Sequence, residues 1–400
     1  MKHARLALGI GLTAACGIDA TLLRESPAVD AGEAVFDAGY PENANGVFAG
    51  QAFTCGLWQG QAACWGDNGE GALGTGDDES RLAPTTVATF MHFASMAPGG
   101  SHTCGVRAPD GAVACWGDNS LGQLGLGDTT ARTSPQVVPL ASPARRLTAG
   151  YEHSCAVLMD GSLWCWGDNS EGQLGLNDAY GSPNASSPTR VGQATDWLTV
   201  SGGQGHTCGI RAPGTMWCWG RNTSYELGLG TVQPIQLRAP TQVGTLSDWV
   251  YVELGQDDAC AVRKDGSLWC WGDGTSGQLA SPPGLVMAPT QVGTDTDWTT
   301  VATDAFSTCA LKATGALYCW GRNAEGQLGL GDTTDRTSPT VTGSDASFGW
   351  VAVGRFHSCG ETPALQVLCT GANESGELGV GDTLRRTQFT PVIAPLTTNH

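Results

Sequence analysis

The stretch from Asp160 to Gly175 reads DGSLWCWGDNSEGQLG, and it decides the fold of this chain. Edited copies of it occur seven times in 400 residues, six of them with a Cys-Trp-Gly core and the last with Cys-Thr-Gly. Another cysteine precedes each core, and these upstream cysteines follow one another at 49, 51, 53, 52, 49 and 50 residues. A fixed period of this length indicates an array of one supersecondary unit.

Each cysteine pair brackets a predicted β-hairpin. In the third copy Asp160 and Gly161 separate two apolar runs, which favours a hairpin because glycine readily adopts positive φ. The predicted loops contain two, four and three residues in the first three copies, and in each case the cysteines stay opposite one another. Directly opposed residues of antiparallel strands lie close enough for a disulfide, so we predict one bridge per hairpin. The predicted bridges are Cys55–Cys64, Cys104–Cys115, Cys155–Cys165, Cys208–Cys218, Cys260–Cys270, Cys309–Cys319 and Cys359–Cys369.

Two further strands are predicted in each unit, one opening at Pro188 in the third copy and one running from 196 to 202. Trp164 and Trp166 point to the face opposite Cys165, so both faces of the sheet must be covered. Four short strands per unit and seven units predict an all-β fold, a seven-bladed β-propeller of about 50-residue repeats. Zinc is not indicated, because the cysteine spacing does not match a zinc site.

The repeat resembles that of a known family. WGDNSLGQLGLGD (116–128), followed by Ser134-Pro135, is similar to the repeat signature of the regulator of chromosome condensation family. The Gly-x-x-His-Thr/Ser approach to the first cysteine also matches, at His102, His153, His206 and His357. The resemblance covers roughly residues 46–395 and implies a propeller, but a fold does not by itself imply a function.

The first 16 residues are interpreted as a lipoprotein-type signal. Lys2 and Arg5 form a basic start, a short apolar core follows, and Cys16 stands at the position that is acylated after cleavage. The cysteine count agrees, since 15 cysteines are seven pairs plus one. The alternative is an ordinary secretory peptide cut near Ala15. Both interpretations place the mature chain outside the cytoplasm, where disulfides persist.

Residues 17–45 are interpreted as a disordered acidic tether, 46–395 as the propeller and 396–400 as a tail. With this signal the sequence predicts an exported protein, either an outer-membrane lipoprotein or extracellular, which touches a membrane only through its lipid anchor. The net charge of −18 makes nucleic acid an unfavourable partner, because phosphates would repel the chain. We expect a monomer.

The repeated polar residues are interpreted as structural. Histidines at one position in four copies favour packing and hydrogen bonding over catalysis, because a catalytic site is asymmetric. Acidic turns such as the one at Asp118 favour Asx turns over calcium, since no bidentate glutamate follows. The tryptophans are assigned to packing between blades. The Gly-Trp-Arg-His-Thr motif of the family's plant ultraviolet-B photoreceptors is absent, and Gly99-Gly-Ser-His-Thr103 stands in its place.

The leading functional hypothesis is a scaffold that binds an unknown protein partner through irregular blade loops, as the similar propeller-type β-lactamase inhibitor proteins do. Loops on a rigid frame often carry binding. The candidate residues break the repeat and are Tyr180, Asn184, Tyr225, Gln233 and Arg238. We predict no catalytic residue, cofactor or metal.

Two alternatives belong to other classes. One is an envelope polysaccharide hydrolase or lyase, for which Glu253, Asp257 and Asp258 form the only acidic cluster that departs from the repeat. The other is a glycan-binding adhesin. Guanine-nucleotide exchange, which the family resemblance suggests, does not suit an exported acidic chain that meets no cytosolic GTPase.

Overall fold

The computed structural model describes residues 44–89, 91–180, 182–343 and 346–394. The predicted signal segment with Cys16, nearly all of the predicted tether and the tail at 396–400 lie outside the described residues.

The described chain contains 28 strands in seven four-stranded sheets. Blade 1 contains β1 (Gly46–Ala49), β2 (Phe53–Trp58), β3 (Gln61–Gly66) and β4 (Arg81–Thr86). Blade 2 contains β5 (His92–Pro98), β6 (His102–Ala108), β7 (Val113–Gly117) and β8 (Arg132–Val137). Blade 3 contains β9 (Ala144–Ala149), β10 (His153–Leu158), β11 (Leu163–Gly167) and β12 (Ala185–Arg190). Blade 4 contains β13 (Trp197–Gly202), β14 (His206–Arg211), β15 (Thr215–Arg221) and β16 (Gln236–Gln242).

The remaining three blades follow the same plan. Blade 5 contains β17 (Trp249–Leu254), β18 (Asp258–Arg263), β19 (Leu268–Asp273) and β20 (Leu285–Gln291). Blade 6 contains β21 (Trp298–Thr303), β22 (Ser307–Lys312), β23 (Leu317–Gly321) and β24 (Arg336–Val341). Blade 7 contains β25 (Trp350–Val353), β26 (His357–Glu361), β27 (Val367–Gly371) and β28 (Arg386–Pro391).

The cysteine hairpins are the two middle strands of each antiparallel sheet. In blade 3, Cys155 lies opposite Cys165 in the register of β10 and β11. All seven predicted disulfides are present, each with its Cα atoms 4.1 Å apart. The hairpin loops also have the predicted lengths: Trp58 pairs with Gln61 across a two-residue turn in blade 1. The prediction of one bridge within each blade is therefore confirmed.

One detail of the strand assignment was wrong. The strand predicted at 196–202 as the last of the third unit is β13, which pairs with β14 and so begins blade 4. Likewise Pro188 does not open its strand, since β12 begins three residues earlier at Ala185. The sequence period and the blade are thus offset by one strand, because strand order within a repeat does not reveal which neighbour each strand pairs with.

The first strands of successive blades contact one another all the way round, so they line the axis of the ring. β1 also contacts β25 and β26, which closes the ring between blades 1 and 7. Since every sheet consists of four consecutive strands, closure does not exchange a strand between the first and last blades.

A buried tryptophan joins most neighbouring blades. Its indole Nε1 donates to a backbone carbonyl of the preceding blade, for example from Trp166 to Gln123 O at 2.9 Å. Trp65 makes the same bond to Glu377 O at 2.9 Å and so joins blade 1 to blade 7. The equivalent donors are Trp116, Trp219, Trp271 and Trp320. These contacts bear out the assignment of the tryptophans to packing between blades.

Candidate functional site

Seven copies of one unit allow each blade to serve as a reference for the others. Where a residue differs from its equivalents in the other blades and a residue in contact with it differs too, the two changes preserve the fold. An exposed residue that differs alone is a candidate functional residue.

The regular seam between blades contains a histidine and a hydroxyl. His153 Nε2 of blade 3 lies 2.9 Å from Thr207 Oγ1 of blade 4, and that hydroxyl donates to Gln173 O of blade 3 at 2.8 Å. The same arrangement joins His102 to Ser154 and His357 to Thr54. Because each hydroxyl donates its proton to a carbonyl, it must accept from the histidine, which therefore carries its proton on Nε2.

These histidines are uncharged. Burial lowers the pKa of His102 to about 3 and that of His153 to about 4, because a charged ring would lose its hydration. Their Nδ1 atoms are buried without a hydrogen-bond partner. The predicted structural role of the repeated histidines agrees with this geometry.

Two consecutive seams around blade 5 depart from the pattern. His206 of blade 4 faces Ala259, which has no hydroxyl, and neither of its ring nitrogens has a hydrogen-bond partner. Asp258 of blade 5 stands where a histidine stands in four other blades, and its Oδ2 lies 2.8 Å from Thr303 Oγ1 of blade 6. Asp258 is fully buried, and burial raises its pKa well above the usual value.

A cluster of polar side chains lies at the axis of the ring, near the seam between blades 5 and 6. Tyr151 Oη of blade 3 donates to Asp304 Oδ1 of blade 6 at 3.2 Å and so reaches across the ring. Tyr251 Oη donates to Glu253 Oε2 at 2.9 Å within β17. Burial raises the pKa of Glu253 to about 7 and that of Asp304 to about 6, and the guanidinium of Arg355 partly offsets the effect at Asp304. We call Tyr151, Tyr251, Glu253, Asp304 and Arg355 the axial cluster.

Asp304 occupies a position where the other six blades have glycine. At four of those six glycines a Cβ would approach the histidine of the same blade, as Gly150 shows with His153 Nδ1 at 2.7 Å. Blade 6 has Ser307 in place of that histidine. The smaller serine leaves room for the Asp304 side chain, so these two departures form a matched pair.

Blade 4 shows a second matched pair. In blades 2 and 3 a glutamine Nε2 donates to an aspartate, as Gln123 does to Asp118 at 2.7 Å. Blade 4 has Arg221 in place of the aspartate and Glu226 in place of the glutamine, and Arg221 Nε donates to Glu226 Oε1 at 3.0 Å. Exchanging both partners preserves the contact with the donor and acceptor positions reversed.

The unmatched departures collect at the outer edge between blades 4 and 5. Strand β20 contains no charged residue, and Val286 stands in its register where Arg81, Arg132, Arg336 and Arg386 stand in blades 1, 2, 6 and 7. Each of those arginines pairs with an aspartate four residues earlier. Blade 5 has neither charge, because Pro282 stands four residues before Val286, where the aspartate would be.

Beside β20 lies a groove of about 450 Å³. Its apolar wall includes Leu229, Leu246, Trp269 and Pro289, and its polar lining includes Gln242 and Thr245. Leu246 is 37% exposed, and Met287, which directly precedes the groove residues Ala288 and Pro289 on β20, is 53% exposed. We call this surface, with Leu229, Leu246, Trp269, Met287 and Pro289, the blade 4–5 groove. Because several apolar side chains are partly exposed in one place, this surface is a candidate for an interaction.

Tyr225 lies in the blade 4 loop that leads to this groove. Its φ is 65°, in the left-handed region, and the other six blades have glycine at the equivalent position. A non-glycine residue in this region costs about 1 kcal/mol or more. Further along the same loop, Gly230 N donates to Met287 O at 2.9 Å, so the loop lies directly on β20.

The other predicted site residues fall into two sets. Tyr180 is 82% exposed in the blade 3 loop, and Gln233 is exposed in the blade 4 loop. Asn184 is exposed too, but its Oδ1 accepts from Asn169 N at 3.0 Å. Arg238 is mostly buried, and its guanidinium donates to Asp178 Oδ1 at 2.8 Å and to Asn169 O at 3.0 Å. Arg238 therefore joins blade 4 to the blade 3 loop and has a structural role.

The acidic turns bind their own backbone. Asp118 Oδ1 accepts from Ser120 N at 2.9 Å, and its other oxygen accepts from Ser120 Oγ and Gln123 Nε2, which is an Asx turn as predicted. Among the described residues no group of three or more His, Cys, Asp or Glu side chains is placed to hold a metal ion. The described part of the chain also has no helix long and apolar enough to cross a membrane.

Sequence reasoning missed Leu246, Trp269 and Met287 of the groove and Asp304 of the axial cluster. A signal for two of these features was present in the sequence. Asp304 replaces a glycine found in six copies, and Val286, beside Met287, replaces an arginine found in four. Alignment of the copies on their cysteines makes the first visible, whereas the second appears only in the strand register, because blade 5 is one residue shorter before Val286.

Comparison with known proteins agrees with this architecture. Two profiles of the regulator of chromosome condensation (RCC1) repeat match the chain, one at residues 59–106, 110–157, 160–210, 213–262 and 314–360 and the other at 93–123, 145–173, 198–226 and 249–278. The ultraviolet-B receptor UVR8 of Arabidopsis thaliana is 28% identical over 234 residues, which are 55% of this chain and 51% of the receptor. The X-linked retinitis pigmentosa GTPase regulator of Homo sapiens is 32% identical over 225 residues, 55% of this chain and 22% of that protein.

The chain thus spans about half or less of the length of the curated relatives it matches. Among solved structures, Prp20p from Saccharomyces cerevisiae has a TM-score of 0.74 at 21% identity, covering 90% of each chain. Human WBSCR16 has a TM-score of 0.74 at 20% identity, covering 84% of this chain and 94% of that one. These similarities confirm the fold. Because the repeat profile matches more than half of the chain, the protein belongs to the regulator of chromosome condensation (RCC1) repeat family.

Proposed function

We propose that this protein is an exported propeller scaffold that binds a protein partner through the blade 4–5 groove and the irregular loops beside it. The observation that carries the proposal is the uncharged, partly exposed β20 next to an apolar groove of about 450 Å³. An apolar anchor side chain of a partner, buried in such a groove, would supply most of the binding free energy.

The proposal agrees with what is known of the fold. The solved relative Prp20p of yeast has binding properties for Gsp1p and histones, and yeast RCC1 (Prp20) has also been solved bound to Kap60. Propellers of this family thus bind proteins, and the partner of this chain is a separate question.

Export and lipid anchoring are part of the same proposal. Seven disulfides favour a compartment outside the cytoplasm, because cytosolic thiols are kept reduced. The basic and apolar start of the chain supports a signal, and Cys16 is the odd cysteine. Mass spectrometry of the native protein measures both features: the proposal expects an acyl group on Cys16 and no free thiol. An N-terminus that retains residues 1–15 would contradict it.

The binding surface is tested by affinity capture from an envelope extract of the source organism. The groove variant carries Leu246→Ser and Met287→Ser. The matched control carries Val341→Ser and Leu384→Ser, which replace residues 54% and 66% exposed on other blades. We expect partner recovery to fall about tenfold with the groove variant, equivalent to about 1.4 kcal/mol, and to stay unchanged with the control.

Equal recovery by the wild type and the groove variant would contradict the proposed surface. A third variant, in which a repeat-type turn replaces residues 180–187, tests the predicted residues Tyr180 and Asn184. Loss of the partner with this variant alone would move the binding surface from blade 5 to the blade 3 loop.

An envelope hydrolase is the second candidate function. The only observation that favours it is the raised pKa of two buried carboxyls, Glu253 and Asp304. Raised pKa values suit general acids. In the structure, however, each of these carboxyls accepts a hydrogen bond from a tyrosine. Turnover of a glycan or peptidoglycan substrate that is lost in Glu253→Gln would favour this candidate over the scaffold.

A further inference from the structure

Asp258 joins blades 5 and 6 through a chain of three hydrogen bonds. Its Oδ2 lies 2.8 Å from Thr303 Oγ1, and Thr303 Oγ1 lies 2.9 Å from Thr308 Oγ1. Thr308 Oγ1 in turn donates to Gln278 O at 2.9 Å. The last bond is the one that Ser154 and Thr207 make in the regular seams.

The protons in this series of three hydrogen bonds can be counted. Gln278 O is a carbonyl and only accepts, so Thr308 donates its single hydroxyl proton there. Thr308 then accepts from Thr303 at 2.9 Å, which uses the single proton of Thr303, since the other backbone acceptor, Ser307 O, is more distant at 3.4 Å. The contact between Thr303 and Asp258 is a hydrogen bond only when Asp258 donates, so the carboxyl holds a proton on Oδ2.

The surroundings of Asp258 agree with a neutral carboxyl. Its Oδ1 is buried without a partner, which is far less costly for a neutral oxygen than for a charged one. The neighbouring titratable side chains are Asp273, Asp304 and Tyr151, and the two carboxylates repel a charge on Asp258. On the blade 4 side the ring of His206 lies near the Asp258 backbone, and burial keeps that ring neutral by lowering its pKa to about 3.

The axial cluster adds one carboxyl to each side of this seam. Glu253 belongs to blade 5 and Asp304 to blade 6, and a charge on Asp304 disfavours ionisation of both Glu253 and Asp258. Arg355 is the cation that acts on Asp304 and Tyr151.

We propose that the seam between blades 5 and 6 depends on a retained proton: it stays closed while Asp258 is protonated and opens as the solution becomes alkaline, whereas the histidine seams do not.

Proton linkage determines whether opening of the seam becomes easier or harder as the pH rises. An open seam hydrates Asp258, which then titrates with an ordinary pKa near 4, so each opening above about that pH releases one proton. The opening equilibrium therefore grows about tenfold per pH unit for as long as the closed seam keeps its proton. A histidine seam behaves oppositely, because opening allows the ring to take up a proton, and only below about pH 6.5. Above that pH the histidine seams show no dependence.

Hydrogen exchange of the full chain between about pH 6.5 and about pH 8, corrected for intrinsic exchange rates, tests the proposal. Protection of the backbone amides at 303–309 should fall as the pH rises, by up to about tenfold per pH unit while the closed seam keeps the Asp258 proton. Protection at 153–157, in the His102–Ser154 seam of the same molecule, should stay constant. Equal slopes at the two seams, or no slope at 303–309, would overturn the proposal.

The variant Asp258→Asn carries a permanent donor of the same shape and should abolish the slope at 303–309. Asp78→Asn, at an exposed aspartate of blade 1, is the control and should keep it. A slope that persists in Asp258→Asn overturns the proposal. Infrared spectroscopy gives a readout on the unaltered chain: the carbonyl band of a protonated, buried carboxyl should be present at neutral pH, and its absence also overturns the proposal.

Discussion

Thr370 and Phe389 together occupy the space that a single tryptophan fills in the other six blades. Thr370 follows the second cysteine of blade 7, and Phe389 replaces the proline of the fourth strand. A Cβ on Gly329 would lie 2.5 Å from the Phe389 ring and 3.2 Å from Thr370, just as one on Gly175 would meet Trp219. Thr370 Oγ1 keeps a bond to blade 6, donating to Gly326 O at 2.9 Å.

This pair predicts a coupled mutational response. Phe389→Pro should lose about 2 kcal/mol of unfolding free energy by leaving a cavity. Thr370→Trp should lose about 1–3 kcal/mol, because the indole would meet Phe389. The double variant restores the pattern of the other blades and should lose less than either single variant. Urea denaturation of all four proteins measures the coupling, and additive losses would show that the two residues do not compensate each other.

A second prediction concerns the incomplete seam at His206. Ala259→Ser adds a hydroxyl that can donate to Glu226 O and accept from His206, as Ser154 does in the regular seam. Unfolding free energy should rise by about 1 kcal/mol, since a satisfied buried hydrogen bond is formed. The measurement is urea denaturation near pH 7. The gain should vanish when His206→Ala is also present; a gain that survives would have another origin.

The buried histidines predict a pH dependence. The pKa of His153 is lowered to about 4, so between about pH 6.5 and that value the unfolded chain takes up a proton that the folded chain does not. Stability contributed by His153 is full above about pH 6.5 and is lost as the pH falls. Relative to His153→Gln, the wild type should lose about 2 kcal/mol between about pH 6.5 and about pH 5.

The comparison with a variant is necessary because Glu253 and Glu361 act in the opposite direction. Burial raises the pKa of both to about 7, so the stability of the folded chain falls as the pH rises towards neutrality. In a measurement on the wild type without the variant, the effect of His153 on stability and the opposite effect of Glu253 and Glu361 would offset each other. A pH-independent difference between the wild type and His153→Gln would contradict a neutral His153.

The disulfides predict a large effect of reduction. Each closes a loop of 9 to 11 residues, and the chain-entropy relation gives about 2.5–3 kcal/mol per bridge. Replacing Cys155 and Cys165 by serine should lower the unfolding free energy by about this amount, measured by urea denaturation. Peptide mapping of the native protein under non-reducing conditions should find only bridges within blades. A bridge between blades would contradict the hairpin register.

Tyr225 predicts opposite changes in stability and binding. Tyr225→Gly removes a side chain from a left-handed residue and should stabilise the fold by about 1 kcal/mol. If the adjacent groove binds a partner, capture of that partner should weaken at the same time. Gln59→Gly is the matched control, because Gln59 has a φ of 53° in the blade 1 hairpin turn. It should gain stability without changing capture, and a variant of Tyr225 that binds normally would remove this residue from the proposed surface.

Much of the fold was predictable because the seven copies of the repeat can be compared with one another. The spacing of Cys155 and Cys165 survived changes of loop length elsewhere, so the hairpin, its bridge and the number of blades followed from local geometry. The tryptophan found in six of the seven copies marked the packing between blades for the same reason. The pairing partner of the strand from Trp197 to Gly202 did not follow, since it can pair with the strand before it or after it along the chain, and only packing around the ring selects one.

For the candidate site, too, the sequence predicted one part and only the tertiary structure showed the other. From the sequence alone came the seven bridged units, the structural role of His153 and the choice of Tyr180 and Tyr225 as residues that break the repeat. The tertiary structure alone showed that Arg238 is held by Asp178, that Tyr151 reaches Asp304 across the axis, and that Leu246 and Met287 share one groove region. The physical reason is distance along the chain: local hydrogen bonds and turns leave a periodic signal in the sequence, whereas contacts between blades depend on how the whole ring closes.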